Sequence, residues 1–177
     1  LEKGLVLDGT GAEGWIGDVL LVGDRIGALG QDMRQRLPEG LALQDVNCVD
    51  CSGLAITPGF IDVHTHDDAI VLNHPDMLPK ISQGITTVIA GNCGISLAPF
   101  VVEKSAPPLN LLGADSFRFD SVESYARALS AARPAVNVAL LIGHTTLRFA
   151  CVGEMTRAAS AGELDAICAL SPRCMQD

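Results

Sequence analysis

The sequence predicts an α/β protein in which part of a small β-sandwich precedes the first three βα units of a closed, TIM-like (β/α)8 barrel. Residues 1–57 contain short apolar segments separated by glycine and acidic turns, whereas residues 58–177 alternate apolar strands with helix-like stretches. Strands that are apolar on both faces and alternate with helices are typical of a parallel sheet covered by helices. The first βα turn lacks the glycine-rich phosphate loop of open dinucleotide-binding sheets, which favours the barrel.

The N-terminal region is predicted to be a β-sandwich portion that ends at residue 57. Gly23 and Asp24 fit a tight turn between two strands, and a polar loop with Pro38 and Gly40 follows. The predicted strands cover residues 4–7, 16–22, 25–29 and 46–51.

The second region, residues 58–177, is predicted to hold the barrel units. Gly84 closes a partly helical stretch that prolines interrupt, and Pro172 is expected to interrupt the last helix. Because a closed barrel usually takes about 250 residues, the chain is expected to be truncated at Asp177. The predicted strands are 55–63, 85–90 and 136–142, and the predicted helical stretches are 69–83, 122–132 and 162–175.

Composition excludes several classes of function. The chain has 177 residues, of which 48% are apolar and 19% are charged, and its net charge of −9 offers no basic stripe for nucleic acid. Its longest apolar runs fall well short of the roughly 20 residues of a membrane-spanning helix, and no secretory signal is visible. Six cysteines at irregular spacing favour reduced thiols over a disulfide framework. A soluble, cytoplasmic protein is therefore expected.

The strongest chemical signal is a His-x-His pair at the end of the first apolar strand. Residues i and i+2 of a strand point to the same side, so His64 and His66 project together. In a parallel barrel they would lie at the active-site face, where one metal ion can take both imidazoles. The alternative is a pair of histidines that only hydrogen-bond to neighbouring loops.

A cysteine follows the next predicted strand, within the sequence Gly-Asn-Cys-Gly at residues 91–94. Glycines on both sides of Cys93 permit an unusual backbone path, and a thiolate is a good zinc ligand. The alternative is a small buried apolar side chain, since free cysteine is among the most buried residue types.

These two motifs resemble the amidohydrolase superfamily and, within it, the D-aminoacylase (N-acyl-D-amino-acid deacylase) family, over nearly the whole chain. Pro-Gly-Phe-Ile-Asp-Val-His-Thr-His, residues 58–66, is similar to the superfamily signature on the first barrel strand, which follows a β-sandwich. Gly-Ile-Thr-Thr-Val followed by Gly-Asn-Cys-Gly is similar to the D-aminoacylase family, in which this cysteine ligates zinc. The resemblance implies that His64, His66 and Cys93 are metal ligands.

Other candidates carry less weight. His144 ends a segment similar to the family's third barrel strand, and a role behind the ligands, in loop organisation or in structure alone stays open. Asp67 and Asp68 either orient the histidines or a substrate, or form an acidic pair at a helix N-terminus; the choice stays open, with the helix N-terminus slightly favoured for Asp68. Three residues are interpreted as non-ligands, namely Cys48 and Cys51, which lack partners for a four-ligand site, and His74.

The resemblance implies zinc-dependent hydrolysis of the amide bond of N-acyl-D-amino acids by the full-length protein. Cys93 and two later histidines would hold one zinc ion, and His64 and His66 would frame an adjoining, weaker position. Zinc lowers the pKa of bound water to about 7, which makes hydroxide available at neutral pH. The general acid/base, an aspartate of the eighth strand in the superfamily, is expected beyond Asp177. No catalytic residue is therefore assigned within this chain, and the 177-residue chain alone is expected to be inactive.

Two alternatives stay open. The first is another amidohydrolase, dihydroorotase-like or isoaspartyl-dipeptidase-like, although dihydroorotases carry an arginine where this sequence has Asp68, and Cys93 discriminates against both. The second is a non-catalytic fragment that binds metal or assembles with other chains, because an incomplete barrel has an open strand edge. The sequence leaves open the acyl group, the side-chain preference and the oligomeric state.

Overall fold

A computed structural model describes residues 1–37 and 39–174, with side chains up to residue 171, and separates the chain into two compact units. The first unit is Leu1–Pro58 and the second is Gly59–Asp177. Pro38 of the predicted polar loop, and the end of the last predicted helix at residue 175, lie outside the described residues.

The first unit contains a four-stranded sheet in the order β3-β2-β1-β4. Strands β1 and β2 pair antiparallel, as do β2 and β3, whereas β4 runs parallel to β1. Gly23 turns the chain between β2 and β3 with φ of +61°, a conformation that glycine adopts without strain. Three of the four predicted strands are confirmed. The strands are β1 (Gly4–Val6), β2 (Trp15–Val22), β3 (Arg25–Gly30) and β4 (Ala55–Ile56).

The prediction of a fourth strand over residues 46–51 is wrong. This segment pairs at a single bridge between Glu2 and Asp50. The Glu2 N–H donates to the Val49 carbonyl at 2.9 Å, and the Cys51 N–H donates to the Glu2 carbonyl at 2.8 Å. The partner of β1 is instead Ala55–Ile56, so the segment before it acts as a connection.

The second unit is built on a three-stranded parallel sheet in the order β5-β6-β9. Its strands are β5 (Phe60–Asp62), β6 (Ile85–Ala90) and β9 (Asn137–Leu140), and a separate antiparallel pair is formed by β7 (Phe100–Val101) and β8 (Arg118–Phe119). The helices are α1 (Ile70–Asn73), α2 (Leu78–Ile81), α3 (Val122–Ala132), α4 (His144–Val152) and α5 (Ala161–Cys174).

Local sequence signals account well for β6 and α3, whose observed bounds are the predicted ones. Ser121 caps α3, because its hydroxyl accepts the Ser124 N–H at 3.1 Å and the Ser124 hydroxyl accepts the Ser121 N–H at 3.3 Å. Arg133 ends α3 in the left-handed conformation. Gly84 likewise ends the α2 segment with φ of +77°.

Three predictions for the second region are corrected. The apolar stretch 55–63 is two strands in different sheets, since Pro58 and Gly59 separate β4 from β5. Helix α5 runs through Pro172 to Cys174, because a proline in the last turn removes only one backbone donor. The sequence analysis did not predict helix α4, whose N-cap residue, Gly143, has no side chain that could cap the helix.

The main core of the second unit lies around β6 and α3. Val88 of β6, Phe117 and Tyr125 of α3 are nearly fully buried. The Tyr125 hydroxyl donates to the Asp68 carbonyl at 2.8 Å, which satisfies the polar end of a buried aromatic side chain. This bond ties α3 to the segment that follows β5. Among the described residues, no helix combines the length and apolar character needed to cross a membrane.

Candidate metal centre

The first two candidate ligands follow the carboxyl end of β5. His64 is exposed and His66 is half-buried, and their ring centroids are 5.9 Å apart. The His64 N–H donates to Asp62 Oδ1 at 3.3 Å, so the last residue of β5 anchors the start of this segment. Both imidazoles therefore lie just beyond the end of one strand of the parallel sheet.

Cys93 follows the neighbouring strand, β6, in a tight turn. Gly91 and Gly94 have φ of +87° and +75°, and Cys93 itself has φ of +55°. The Ile95 N–H donates to the Asn92 carbonyl at 3.0 Å and closes the turn. Because β5 and β6 are parallel and adjacent, this turn and the histidine segment meet at the same edge of the sheet.

The structure brings His64, His66 and Cys93 together. His64 Nε2 lies 3.1 Å from Cys93 Sγ, and one donor atom from each of the three residues lies within 4.8 Å of the others. His66 Nδ1 is buried and has no hydrogen-bond partner among the described residues. Leaving a buried nitrogen without a partner costs free energy, and a metal ion that binds the nitrogen lone pair would remove that cost.

The donor chemistry fits zinc. Two imidazole nitrogens and a thiolate are borderline-soft ligands of the kind that Zn²⁺ takes. Ligands of one tetrahedral zinc ion at about 2.0 to 2.3 Å lie about 3.3 to 3.8 Å apart. The His64–Cys93 separation of 3.1 Å is close to that range, and the upper limit of 4.8 Å exceeds it. The three donors therefore lie close enough to share one zinc ion after a small adjustment.

Lys80 of α2 binds the carboxylates on both sides of the histidine pair. Its Nζ donates a hydrogen bond to Asp62 Oδ2 at 2.7 Å. The same Nζ lies 2.9 Å from Asp67 Oδ2 and forms an ion pair with it, but the two groups are not aligned for a hydrogen bond. The side chains of Lys80, Asp62 and Asp67 are only 22%, 28% and 10% exposed. Sequence reasoning missed Lys80, because α2 is separated from His64 and His66 in sequence and nothing local signals the contact.

The contacts of Lys80 shift its own pKa and that of Asp62. The hydrogen bond from Lys80 lowers the pKa of Asp62. Burial by itself would lower the pKa of Lys80, but its hydrogen bond to Asp62 and its ion pair with Asp67 raise that pKa overall. Lys80 and Asp62 are therefore charged at neutral pH, and Lys80 balances part of the negative charge beside the ligands.

The interpretation of Asp68 as an acidic residue at a helix N-terminus is wrong. Helix α1 has no acidic residue in its first turn, and Asp68 is 1% exposed. Burial raises the pKa of Asp68. The Asp68 side chain is therefore part of the interior, and its Oδ2 has no hydrogen-bond partner among the described residues.

The remaining candidates lie outside the three-donor cluster. His144 is exposed at the first residue of α4, and His74 is exposed where α1 ends. Cys48 and Cys51 belong to the first unit and are free thiols. Among the residues with described side chains, His64, His66 and Cys93 form the single group of three or more residues able to hold a metal ion.

Comparison with known proteins gives the same assignment from sequence and from structure. The sequence profile of the amidohydrolase family matches residues 47–169. N-acyl-D-aspartate deacylase of Alcaligenes xylosoxydans xylosoxydans is 46% identical over 172 residues, 97% of this chain and 33% of that protein. D-aminoacylase of the same organism is 44% identical over 176 residues, 99% of this chain and 35% of that protein. The chain thus spans about a third of the length of these relatives.

Comparison with solved structures leads to the same family. The crystal structure of a D-aminoacylase, described as defining a novel subset of amidohydrolases, matches with a TM-score of 0.88 at 47% identity, over 99% of this chain and 36% of that one. N-acyl-D-glutamate deacylase from Bordetella bronchiseptica, complexed with zinc and a phosphonate inhibitor, matches with a TM-score of 0.80 at 35% identity, over 99% of this chain and 35% of that one. The mixed α/β fold is therefore that of D-aminoacylase structures, and the chain belongs to the amidohydrolase family.

Proposed function

We propose that the full-length protein is a zinc-dependent hydrolase that cleaves the amide bond of N-acyl-D-amino acids. The observation that carries the proposal is the approach of His64 Nε2 and Cys93 Sγ to 3.1 Å at the ends of adjacent parallel strands. Relatives whose names describe deacylation of N-acyl-D-aspartate and N-acyl-D-glutamate support the choice of substrate class.

We propose further that the second unit forms the first three βα units of a closed (β/α)8 barrel and that the first unit is a portion of a small β-sandwich. The parallel order β5-β6-β9, with helices between the strands, supports the barrel. In such barrels the active site lies at the carboxyl ends of the strands. His64, His66 and Cys93 follow the carboxyl ends of β5 and β6.

In this proposal Cys93, His64 and His66 hold the metal. Zinc supplies a Lewis acid that polarises the amide carbonyl and makes a water molecule acidic enough to attack near neutral pH. Cys93 contributes negative charge as a thiolate, whereas the two histidines contribute neutral nitrogens. The exposure of His64 and Cys93 leaves the cluster open to a substrate from the solvent side.

The carboxylates near the cluster have a supporting role in the proposal. Asp67 is directly joined to His66 and is held by Lys80, so it orients the histidine segment and does not serve as a metal ligand. The proposed role of His144 is in the organisation of the loop after β9, since it is exposed at the start of α4. We assign no general acid/base to the described residues.

The test is turnover of paired enantiomers by the purified full-length protein loaded with zinc. N-acetyl-D-amino acids are expected to be hydrolysed and N-acetyl-L-amino acids are not. Cys93→Ala is expected to abolish turnover, whereas Cys168→Ala, which removes another exposed cysteine, leaves it unchanged. Turnover of cyclic ureides alone would instead identify a dihydroorotase-like enzyme. The 177-residue chain by itself is expected to be inactive.

A further inference from the structure

The turn that carries Cys93 has an unfavourable backbone conformation. Cys93 has φ of +55° and ψ of 24°, in the left-handed region that residues with a side chain seldom adopt. Such a conformation persists only when surrounding contacts hold it in place. The thiol position therefore depends on what fixes the turn.

One buried hydroxyl fixes the chain immediately after this turn. Thr146 Oγ1 accepts the Ser96 N–H at 2.9 Å and donates to the Ser96 carbonyl at 2.8 Å. Thr146 is completely buried and Ser96 is 5% exposed, so water does not compete for these groups. Thr146 is the third residue of α4, and Ser96 is three residues after Cys93. The hydroxyl thus satisfies both backbone groups of one residue.

The side chain of Ser96 strengthens the same connection. Its Oγ accepts the Gly143 N–H at 3.0 Å and donates to the Ala98 carbonyl at 2.6 Å. Ser96 is therefore bonded through its N–H, its carbonyl and its hydroxyl, and three of these bonds reach Gly143 and Thr146, which follow β9.

The two backbones also approach closely beside Cys93. A Cβ atom on Gly143 would lie 2.3 Å from the Gly94 carbonyl oxygen, so a side chain at that position would push the turn away. Gly94 is covalently joined to Cys93. The segment after β9 therefore packs directly against the turn that carries Cys93.

We propose that Thr146 is a positioning residue for the Cys93 thiolate: its two bonds to Ser96 hold the strained turn against the start of α4. This inference rests on the proposed function, in which Cys93 binds zinc. Thr146 acts through the chain and does not itself touch the metal. Groups behind metal ligands commonly change metal affinity by about 10- to 100-fold when they are removed.

The test compares Thr146→Val, which keeps the shape but loses both hydrogen bonds, with Thr146→Ser, which keeps the hydroxyl. Zinc affinity of the full-length protein is measured by competition with a chelator, and the Co²⁺-substituted protein reports the thiolate-to-cobalt charge-transfer band. Thr146→Val is expected to bind zinc about tenfold more weakly or worse and to show a reduced band. Thr146→Ser is expected to stay within about threefold of wild type.

Leu129→Ala is the control for stability, because it truncates a buried side chain of α3 and is expected to lower the melting temperature without changing zinc affinity. If Thr146→Val does not fold, Ser96→Ala, which removes only the hydroxyl bonds, is expected to weaken zinc binding about threefold or more. Wild-type zinc affinity and cobalt spectrum in the folded variant would overturn the inference and leave the proposed function intact. Zinc binding as tight in Cys93→Ala as in wild type would overturn both.

Discussion

His64 Nε2 lies 3.1 Å from Cys93 Sγ although the two residues follow different strands. Parallel pairing of β5 with β6, in which Asp62 lies opposite Val88, places the two strand ends side by side. The pairing of the two strands therefore brings His64 and Cys93 together, and the contribution of each proposed ligand to metal binding can be tested by replacing one residue at a time.

Cys93 is expected to matter more for zinc retention than either histidine of the pair. A thiolate brings negative charge to Zn²⁺ whereas a neutral imidazole does not. In the full-length protein Cys93→Ala should lose most bound zinc, while His64→Ala and His66→Ala should lose activity with a smaller loss of tightly bound zinc. Metal analysis of the purified variants provides the measurement, and Cys168→Ala is the control. Full zinc occupancy in Cys93→Ala would assign that residue a purely structural role.

Lys80 is expected to stabilise the histidine segment. Lys80→Met leaves the carboxylates of Asp62 and Asp67 unpaired where they are 28% and 10% exposed, and should cost about 1 to 3 kcal/mol in the free energy of unfolding. Chemical denaturation measures this free energy. Lys80→Arg keeps the charge and should recover most of the loss. Equal stability of Lys80→Met and wild type would show that the ion pairs contribute nothing net.

Gly91 is expected to be intolerant of any side chain. Its φ is +87°, and a Cβ atom would lie 2.1 Å from the Leu141 carbonyl oxygen. Gly91→Ala should destabilise the protein by about 2 kcal/mol or more. Gly153, with φ of +72° and open space around it, is the matched control, since Gly153→Ala incurs only the backbone cost. Thermal denaturation of both variants separates the two effects, and equal losses would argue against the close approach to Leu141.

Glu2 is expected to make the stability of the first unit depend on pH. The hydrogen bond from Arg34, with Nη2 at 2.6 Å from Oε2, lowers the pKa of Glu2. A carboxylate with a lowered folded-state pKa stabilises the fold above its unfolded pKa, and this stabilisation is lost as pH falls through the folded-state value. Since the Arg34 side chain is 53% exposed, the contribution should be about 1 kcal/mol or less.

Glu2→Gln tests this contribution by melting temperature as a function of pH. The variant should be slightly less stable than wild type near pH 7, and the difference should shrink at pH values below about 4. A difference that is constant across the pH range would mean that ionisation of Glu2 is not its source.

Phe117 is expected to be a principal support of the core of the second unit. Its side chain is 1% exposed and packs edge-on against Phe100 with ring centroids 6.0 Å apart. Phe117→Ala should cost about 3 to 5 kcal/mol in the free energy of unfolding. Leu111→Ala, at a side chain that is 58% exposed, should cost far less. Similar losses in the two variants would contradict the burial of Phe117.

The sequence by itself determined the features that depend on local pattern. Alternating apolar strands and helices predicted the parallel sheet, and Gly84 marked the end of a helical segment before β6, which the structure shows at the predicted position. The three candidate ligands could be named because the motifs at residues 58–66 and 84–94 resemble those of the D-aminoacylase family. Their approach within 4.8 Å agrees with that expectation.

The tertiary structure alone decided the features that depend on contacts between distant segments. Asp68 is buried, and its carbonyl accepts the hydroxyl of Tyr125 of α3, a neighbour that the sequence around Asp68 does not indicate. Lys80 reaches Asp62 and Asp67 only once α2 has folded back toward the end of β5. Thr146 likewise bonds to Ser96 across 50 positions of sequence. Each of these contacts requires the packed fold, since periodicity and local propensity report only on neighbours along the chain.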